Sequence, residues 1–453
     1  MVKEKGFYRT LFKIALPVAF QSLLSVSVNL LDNLMVSSLG DAALSSVAMA
    51  NQITVFLSFF IRGVGGASSL MISQYWGKGD ISTIRKIYTV VLRFAGGLIA
   101  VVALLLAIFP KPVMSLFLTD DSLLETSAMY LRIICISYIF QTLSETIAAM
   151  LRSVEAVSIT LYLTLISLFS NLIFNYIFIF GKFGVPAMGV KGAALATVTA
   201  RIIEFCFALV YLFAIEKKIR FRPAHLLQKT DGLFRDFVKF GLPVIIGDLQ
   251  WGLVGTVKSI PVGRLGEVMI SANSIAETIM SLCFAFSTGM ASAACVVIGK
   301  SVGSGDYKET KEYSKTIQVI FACIAVTLGA LLFLFRSVPV GFFKDISDEA
   351  REYAKSFLAV GAASLPGTCF HVACFTGINR GAGDTKFVFK VDLVCGWLIV
   401  VPLTFLLGTK FFTSYTLVYF ATRADQFVKW LIALIRLNTS DRWIKNITAK
   451  TTK

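Results

Sequence analysis

Four polar side chains lie along one face of the first long apolar stretch of the chain. Ser22, Ser25, Asn29 and Asp32 are separated by three, four and three residues, a spacing that places them on one side of an α-helix. An ionisable side chain inside an apolar stretch is costly and rare, so Asp32 is a candidate functional group. The stripe predicts a helix with a polar face towards a cavity, where Asp32 and Asn29 contact a cationic ligand.

Asparagine and threonine side chains recur at a similar depth in two later apolar stretches. Asn171 and Asn175 are one helical turn apart, and Thr197 follows in the next stretch. Counted from the outer ends of their stretches, these residues and Asp32 lie roughly 7–13 Å below the outer surface. A carboxylate with amide and hydroxyl oxygens suits a proton or a hard cation, and a Na⁺ ion would use Asp32, Asn171 and Thr197. Taken alone, Asn171 and Thr197 are explained as well by hydrogen bonds that join helices.

The second half of the chain has ionisable residues of its own. Asp248 lies near the middle of an apolar stretch and is a second candidate to bind a cation or a substrate. Lys258 lies close to the outer end of the same stretch, where its ammonium is expected to reach the membrane surface. The secondary candidates are Glu145, Glu277 and Arg201. Arg201, together with Arg62 and Arg423, would pair with these acids or anchor the packing of the lobes.

Aromatic side chains fall near these polar faces, and we predict that Phe56, Phe60 and Trp251 contact a ligand. Rings beside a carboxylate suit an amphipathic organic cation, because cation–π attraction adds to charge attraction. The chain contains 39 phenylalanines, so packing or lipid contact explains any single one equally well.

Composition indicates that membrane-spanning helices carry these residues. The chain is 56% hydrophobic and only 15% charged, with a mean hydropathy of +0.76, unlike a soluble domain. A helix needs about 20 residues to cross a bilayer, and the apolar stretches are too long and too uniform for β-barrel strands. About twelve such stretches lie near residues 11–37, 47–73, 88–109, 128–151, 159–180, 190–214, 238–262, 270–298, 316–336, 353–378, 387–407 and 412–436.

An internal repeat divides these stretches into two sets of six. Matching landmarks in the two halves are 226 positions apart: Pro17 and Pro243, Gly40 and Gly266, and Gly63 and Gly289. The sequences GKGD and GSGD, which end at residues 80 and 306, have the same separation. Repeated halves are a signature of secondary transporters. We therefore expect an all-α integral membrane protein of about twelve helices in two pseudo-symmetric six-helix lobes.

The distribution of lysine and arginine predicts the orientation of the chain. Basic residues precede the first stretch, follow the second, sixth and eighth, and end the chain, whereas the loops 39–43, 110–125 and 337–352 contain fewer. The positive-inside rule then places both termini and the central linker in the cytoplasm. We expect the protein to lie in the inner (plasma) membrane of the cell. The positive-inside rule also accounts for the net charge of +16 without a nucleic-acid partner. The predicted parts are an N-lobe at 1–215, a cytoplasmic linker at 216–236, a C-lobe at 237–440 and a cytoplasmic tail at 441–453.

Metal, disulfide and cleaved-signal explanations find little support in the residue pattern. All eight cysteines lie in apolar stretches without ligand spacing, and the chain has only two histidines. The basic, apolar N-terminus resembles a signal peptide, but it belongs to the repeat and continues past Pro17, so we expect an uncleaved first span.

Several motifs resemble the multidrug and toxic compound extrusion (MATE) family over nearly the whole chain. They are LDNLMVSSLGDAALSSVAMAN, GASSLMISQYWGKGD, SNLIFNYIFIFGKFGVPAMGVKGAALAT and GINRGAGDTKF, in that order. The resemblance implies two six-helix lobes around a central cleft and export of organic cations in exchange for H⁺ or Na⁺. It matches Asp32 to the family's N-lobe aspartate and Asn171 and Thr197 to its companions, while Asn175 stands where some members have a second acid.

The resemblance also bears on which ion is coupled. The family's C-lobe arrangement has acids in spans seven, eight and ten. Asp248 and Glu277 lie in the first two, but span ten has only His371. The chain is therefore most similar to the DinF-like branch, in which a proton on the N-lobe aspartate is expected.

We expect a drug/H⁺ antiporter that works as a monomer without a cofactor, with small organic cations and the lipid bilayer as its partners. The alternative is a lipid-linked oligosaccharide flippase of the same superfamily, which needs a cationic lumen. Lys258, Arg62 and Arg201 favour that alternative, whereas Asp32 and Asp248 disfavour it. A membrane enzyme would need paired acids, an HExxH motif or a Ser/Lys pair, and the sequence contains no such pattern.

Overall fold

A computed structural model describes residues 1–118, 120–230, 232–343 and 347–449, without the side chains of residues 29 and 30. Within these residues the regular structure is helical, because a backbone in lipid must satisfy its hydrogen bonds internally. The helices of the first half are α1 (Lys5–Ser37), α2 (Asp41–Lys78), α3 (Ile81–Ile108), α4 (Pro110–Met114), α5 (Asp121–Ser153), α6 (Ser158–Phe180) and α7 (Val190–Val210). Those of the second half are α8 (Leu233–Arg264), α9 (Glu267–Ser304), α10 (Tyr307–Phe335), α11 (Ser337–Gly341), α12 (Asp348–Val372), α13 (Thr385–Val394), α14 (Val401–Phe405), α15 (Tyr415–Ala421) and α16 (Asp425–Thr439).

Eleven of the helical segments in the described residues are long and apolar enough to cross a membrane. Three include π-helical turns: α7 continues through Tyr211–Ile215, α12 through Ala373–Asn379, and α13 through Cys395–Val400 into α14. The twelfth predicted stretch, 412–436, is present as two consecutive helices, α15 and α16. They are separated because the N–H groups of Arg423 and Ala424 donate to carbonyls three residues back, which tightens the turn there.

The helices recur along the chain with the offset that the sequence repeat predicts. The helices α2 and α9 begin 226 positions apart in the chain and also end 226 positions apart. The first residues of α3 and α10 have the same separation. Both α3 and α10 have the same N-cap: Asp80 accepts a hydrogen bond from the N–H of Thr83, and Asp306 accepts one from the N–H of Glu309, each at 2.9 Å. The short helices α4 and α11 follow α3 and α10 in the same way.

Packing divides the chain into two compact units. Unit 1 contains Met1–Ala19, Ser73–Gly79 and Leu242–Lys453, and unit 2 contains Phe20–Ile72 and Asp80–Gly241. These units follow contacts between residues, whereas the predicted lobes follow the sequence repeat, and the lobe boundaries stay a prediction.

Within unit 1, the end of α2 and the end of α9 approach each other through glycines. A Cβ atom on Gly77 would overlap the carbonyl oxygen of Lys300, and one on Gly303 would overlap the carbonyl oxygen of Gln74. The two contacts are related by the repeat, because 303 − 77 and 300 − 74 are both 226. Glycine is required at both positions for the helix backbones to come this close.

The described part of the predicted tail, 441–449, packs within unit 1. The Gln74 amide donates to the carbonyl of Gly381 at 2.9 Å and accepts from the N–H of Ile447 at 2.9 Å. The fully buried Asp384 accepts hydrogen bonds from Arg436 and Lys445. Residues 450–453 of the predicted tail lie outside the described part of the chain.

The described residues of the predicted linker, 216–236, pack against α3 within unit 2. The Glu216 carboxylate accepts hydrogen bonds from three consecutive backbone N–H groups, and Arg85 on α3 donates to the carbonyl of Ile219 at 2.8 Å. Burial and the charges of Arg85 and Arg222 lower the pKa of His225. The neutral ring then accepts a hydrogen bond from the N–H of Arg222 at 2.9 Å.

Candidate functional site

A cavity of about 440 Å³ lies inside unit 2, between α1, α2, α5, α6 and α7. Its volume falls in the range typical of small-molecule sites. Apolar side chains such as Val28, Val36 and Ile134 alternate with hydroxyls, amides and charges along its wall. Such a mixed wall suits a ligand with an apolar body and a polar group.

The four residues predicted to bind a cation meet at this cavity in one hydrogen-bonded chain. The Asn175 amide nitrogen donates to Asp32 Oδ1 at 2.6 Å and to Asn171 Oδ1 at 3.1 Å. The Asn171 nitrogen donates in turn to Thr197 Oγ1 at 3.4 Å. Asn175 is only 2% exposed, and its Oδ1 finds no partner among the described residues. The site therefore has a carboxylate and a free amide oxygen on its inner wall.

Helix ends explain why these residues meet. Asp32 is five residues before the end of α1, and Asn175 is five residues before the end of α6. Thr197 is seven residues after the start of α7, which corresponds to roughly 10 Å along the axis. The C-terminal ends of α1 and α6 and the N-terminal end of α7 at one level bring such residues together, as their depth predicted.

A second polar group occupies the same cavity deeper along α5 and α7. Arg201 contacts Glu204 at 2.7 Å, and Ser144 donates a hydrogen bond to the other Glu204 oxygen at 3.1 Å. Glu145 also lines the cavity, and it interacts electrostatically with Glu204, Arg152 and Arg201. The sequence prediction included Glu145 and Arg201 but missed Glu204. The signal was the spacing of three residues between an arginine and an acid inside an apolar stretch.

The charges that face this cavity do not cancel. Among the described residues, the lining acids Asp32, Glu145 and Glu204 supply three negative charges when ionised. Arg201 on the lining, and Arg152, which interacts electrostatically with Glu145 from outside it, supply two positive charges. One negative charge remains in excess, and among the described residues only Glu204 of the three acids is in direct contact with an arginine. A charge left in a low-dielectric environment is stabilised by a proton or by a cationic ligand.

The other predicted residues of the first half differ in whether they line this cavity. Ser25 lines the cavity with Asp32, and the side chain of Asn29 lies outside the described residues. The lining does not include Phe56 or Phe60, whose contact with a ligand stays a prediction. Its aromatic members are instead two tyrosines that the sequence prediction missed, Tyr130 and Tyr138.

The predicted residues of the second half lie in unit 1 and have partners there. Both Asp248 oxygens contact Arg380, at 2.6 and 3.1 Å, with both side chains nearly buried. Glu277 contacts Arg423 at 2.9 Å, so one of the predicted arginines does pair with one of the predicted acids. The ammonium of Lys258 donates to the carbonyl of Thr422 at 3.5 Å, which differs from the predicted extension to the membrane surface.

Trp251 also lies in unit 1, where its ring faces the ammonium of Lys429 at 3.8 Å from the centroid. The role of Trp251 and Asp248 in binding substrate stays a prediction. Within the part of the chain that the structure describes, no group of three or more His, Cys, Asp or Glu residues is placed to hold a metal ion.

Comparison with known proteins identifies the class. The pattern of the MatE family matches residues 17–177 and again 243–406, once in each half of the repeat. The chain therefore belongs to the MatE family, which comprises the MATE transporters. The predicted fold class is confirmed as well, since the structural neighbours are two-lobe, twelve-helix transporters.

Individual relatives match over almost their whole length. A probable multidrug resistance protein, NorM, of Rhizobium meliloti is 27% identical over 426 residues, 88% of either chain. An uncharacterized transporter, YisQ, of Bacillus subtilis is 23% identical over 96% of this chain and 95% of its own. The fold is similar to that of the Vibrio cholerae MATE transporter VcmN in its bent form, with a TM-score of 0.84, 15% identity and coverage of 97% and 99%.

Proposed function

We propose that the protein is a secondary active multidrug efflux antiporter, which exports cationic amphipathic compounds in exchange for H⁺. Membership of the MatE family and the names of relatives such as NorM support efflux. The observation that carries the proposal is the single uncompensated negative charge of the cavity in unit 2. Such a cavity binds one monovalent cation at a time.

A proton fits the site at Asp32 better than Na⁺. Two oxygens that a metal ion would need, Asp32 Oδ1 and Asn171 Oδ1, already accept hydrogen bonds from Asn175. Hard cations bind several oxygens at once, whereas a proton needs one carboxylate oxygen. Na⁺ remains the alternative coupling ion, with Asp32, Asn171 and Thr197 as its ligands.

Exchange then follows from competition for one charge. With Asp32 ionised, the cavity attracts an organic cation; with Asp32 protonated, the net charge is zero and that attraction is lost. Proton binding shifts the conformational equilibrium only if the two conformations differ in proton affinity. We propose that the protein works as a monomer in the inner membrane, with both termini in the cytoplasm and no cofactor.

The test is the substitution Asp32→Asn, which keeps the side-chain size and removes the charge. We expect drug efflux from cells, and proton-driven uptake into inside-out vesicles, to fall to the level of cells without the protein. The matched control is Asp41→Asn, which removes an exposed acid at the start of α2 and should leave efflux unchanged. Full efflux by Asp32→Asn would refute the proposal.

The flippase alternative predicts a different charge. A lipid-linked pyrophosphate is an anion, and the negative excess of the cavity in unit 2 disfavours it. Drug accumulation separates the two functions, because expression of a flippase should leave drug accumulation unchanged.

A further inference from the structure

The most buried ammonium in the described chain belongs to Lys429 on α16, within unit 1. Lys429 is 2% exposed, and its nitrogen lies 2.9 Å from Asp392 Oδ1 and 3.1 Å from Asp425 Oδ2. The ring of Trp251 covers a third side. The side chains of Asp392 and Asp425 are themselves 10% and 1% exposed. Lys429 thus ends in a closed cage of two carboxylates and an indole face.

This cage has the chemistry of an ammonium site. Carboxylates accept the N–H groups of an ammonium, and the indole face is the aromatic surface that attracts cations best. Taking three charged groups out of water is expensive, and the expense is offset only when each charge has close partners. If Lys429 were removed, two buried carboxylates would lack a counter-charge.

The repeat relates Lys429 to an acid of the first half. The helices α7 and α15 begin at residues 190 and 415, and the pairs Ala196-Thr197 and Ala421-Thr422 keep the same offset of 225. With that offset, Lys429 corresponds to Glu204. Lys258 corresponds to Asp32 with an offset of 226. Two lysines of the second half therefore stand where the first half has acids of its cavity.

The charges connected to the cage are balanced. Asp392 interacts electrostatically with Arg380, which is paired with Asp248. Asp425 interacts with Lys258, and Lys258 with Glu277, which is paired with Arg423. Within the described residues this network has four acids and four bases. His371 and Cys395 also face the cage. Unlike the cavity of unit 2, this network has no negative charge left for a mobile cation.

We propose that Lys429 is the resident cation of unit 1: its ammonium permanently occupies a binding site for a primary ammonium ion. Unit 1 then holds its own cation and does not exchange it during transport. If the side chain is cut back, the cage becomes a binding site for a small alkylammonium ion from solution. Occupancy of the cage does not depend on Asp32 or on the coupled ion.

The test uses purified Lys429→Ala with propylammonium, whose three carbons and ammonium replace the atoms that the substitution removes beyond Cβ. We expect Lys429→Ala to unfold at a lower temperature than the unsubstituted protein. Millimolar propylammonium should raise its unfolding midpoint by about 2 °C or more, with saturation. The same amine should leave the midpoint of the unsubstituted protein unchanged, because Lys429 fills the cage. Propanol, which lacks the charge, should have no effect on either.

The matched control is Lys429→Met, whose side chain fills the same space without a charge. Its midpoint should not respond to propylammonium. If Lys429→Ala does not yield folded protein, Lys429→Ala/Asp425→Asn removes one of the two uncompensated charges and keeps Asp392 for the amine. An unchanged midpoint with the amine in both alanine variants, or an equal rise in Lys429→Met, would overturn the proposal. Thermal unfolding needs no transported substrate, so failure of the antiport proposal would leave this result interpretable.

Discussion

At the scale of single residues, the cavity of unit 2 combines a site the sequence predicts with one that it does not. Asp32, Asn171, Asn175 and Thr197 meet as their spacing and depth indicate. The Arg201–Glu204 pair deeper in the cavity sets the total charge that a ligand meets. Glu204 matters to a cationic ligand because it cancels Arg201 and leaves the charge of Asp32 uncompensated.

The substitution Glu204→Gln should therefore weaken binding of a monovalent organic cation. Removing the charge of Glu204 changes the net charge at the cavity of unit 2 from −1 to zero. One unit charge at roughly 10 Å, with an effective dielectric constant of about 20, changes the dissociation constant by about tenfold. Fluorescence titration of the purified protein with a cationic dye measures this.

The double variant Arg201→Gln/Glu204→Gln is the matched control, because it removes one positive and one negative charge and keeps the net charge at the cavity at −1. Its dye affinity should return to within about threefold of that of the unsubstituted protein. Equal affinities for Glu204→Gln and the unsubstituted protein would show that Glu204 does not act through charge.

Only part of these two sites could be predicted from the sequence. The residues on α1, α6 and α7 were predictable because spacing within a helix and distance from its end are local properties. Glu204 and the cage of Lys429 were missed, although Arg201 and Glu204, and Asp425 and Lys429, are spaced to pair on one helix. Asp392 and Trp251 join that cage from other helices. Which helix faces meet depends on packing that one sequence does not reveal.

At the scale of the elements, apolar stretches predict the spans well and their ends poorly. The sequence predicts the second stretch at 47–73, whereas α2 is Asp41–Lys78. An apolar stretch reports the thickness of the hydrocarbon, and a helix continues into water through polar residues such as Asp41 and Lys78. The break between α15 and α16 was not predictable because apolar composition continues through it.

The substitution Gly303→Ala should destabilise the protein by separating α2 from α9. Its Cβ would overlap the backbone of Gln74, and backbone moves at a higher cost than a side-chain end. Overpacking of this kind costs about 1–3 kcal/mol. A fall of the thermal unfolding midpoint in detergent measures it, and Gly77→Ala should act in the same direction.

Gly255→Ala is the control for helix propensity. Gly255 lies inside α8, and a Cβ there meets nothing within 4 Å. This change should leave the midpoint unchanged or raise it, since alanine favours a helix by about 1 kcal/mol over glycine. If Gly303→Ala is no less stable than Gly255→Ala, the close approach of the two backbones is wrong.

At the scale of the whole molecule, the repeat supplies two similar sets of helices with different interior charge. The three acids and two arginines at the cavity of unit 2 leave one negative charge in excess, and the network around Lys429 in unit 1 is balanced. The sequence predicts the repeat and the exchange of Asp32 for Lys258 between its copies. The net charge of each interior emerges only when every buried group is placed.

Coupling to one ion is a property of the complete transport cycle, and ion replacement tests it. We expect efflux of a cationic dye to continue when K⁺ replaces Na⁺ at constant pH, because the proposed site takes a proton. A protonophore that collapses the pH gradient should stop efflux. Loss of efflux without Na⁺, together with resistance to the protonophore, would assign the coupling to Na⁺ instead.

The paired glycine contacts of α2 and α9 have the geometry of a two-fold dimer: residue 77 meets residue 300 as residue 303 meets residue 74. In a dimer of identical chains, every substitution appears on both sides of such an interface at once. Joining the two copies in one polypeptide removes that constraint. Each copy can keep the glycines that the contact requires while its interior residues diverge. A duplicated gene could thus place an aspartate at position 32 and a lysine at position 258, which two copies of a single gene could not.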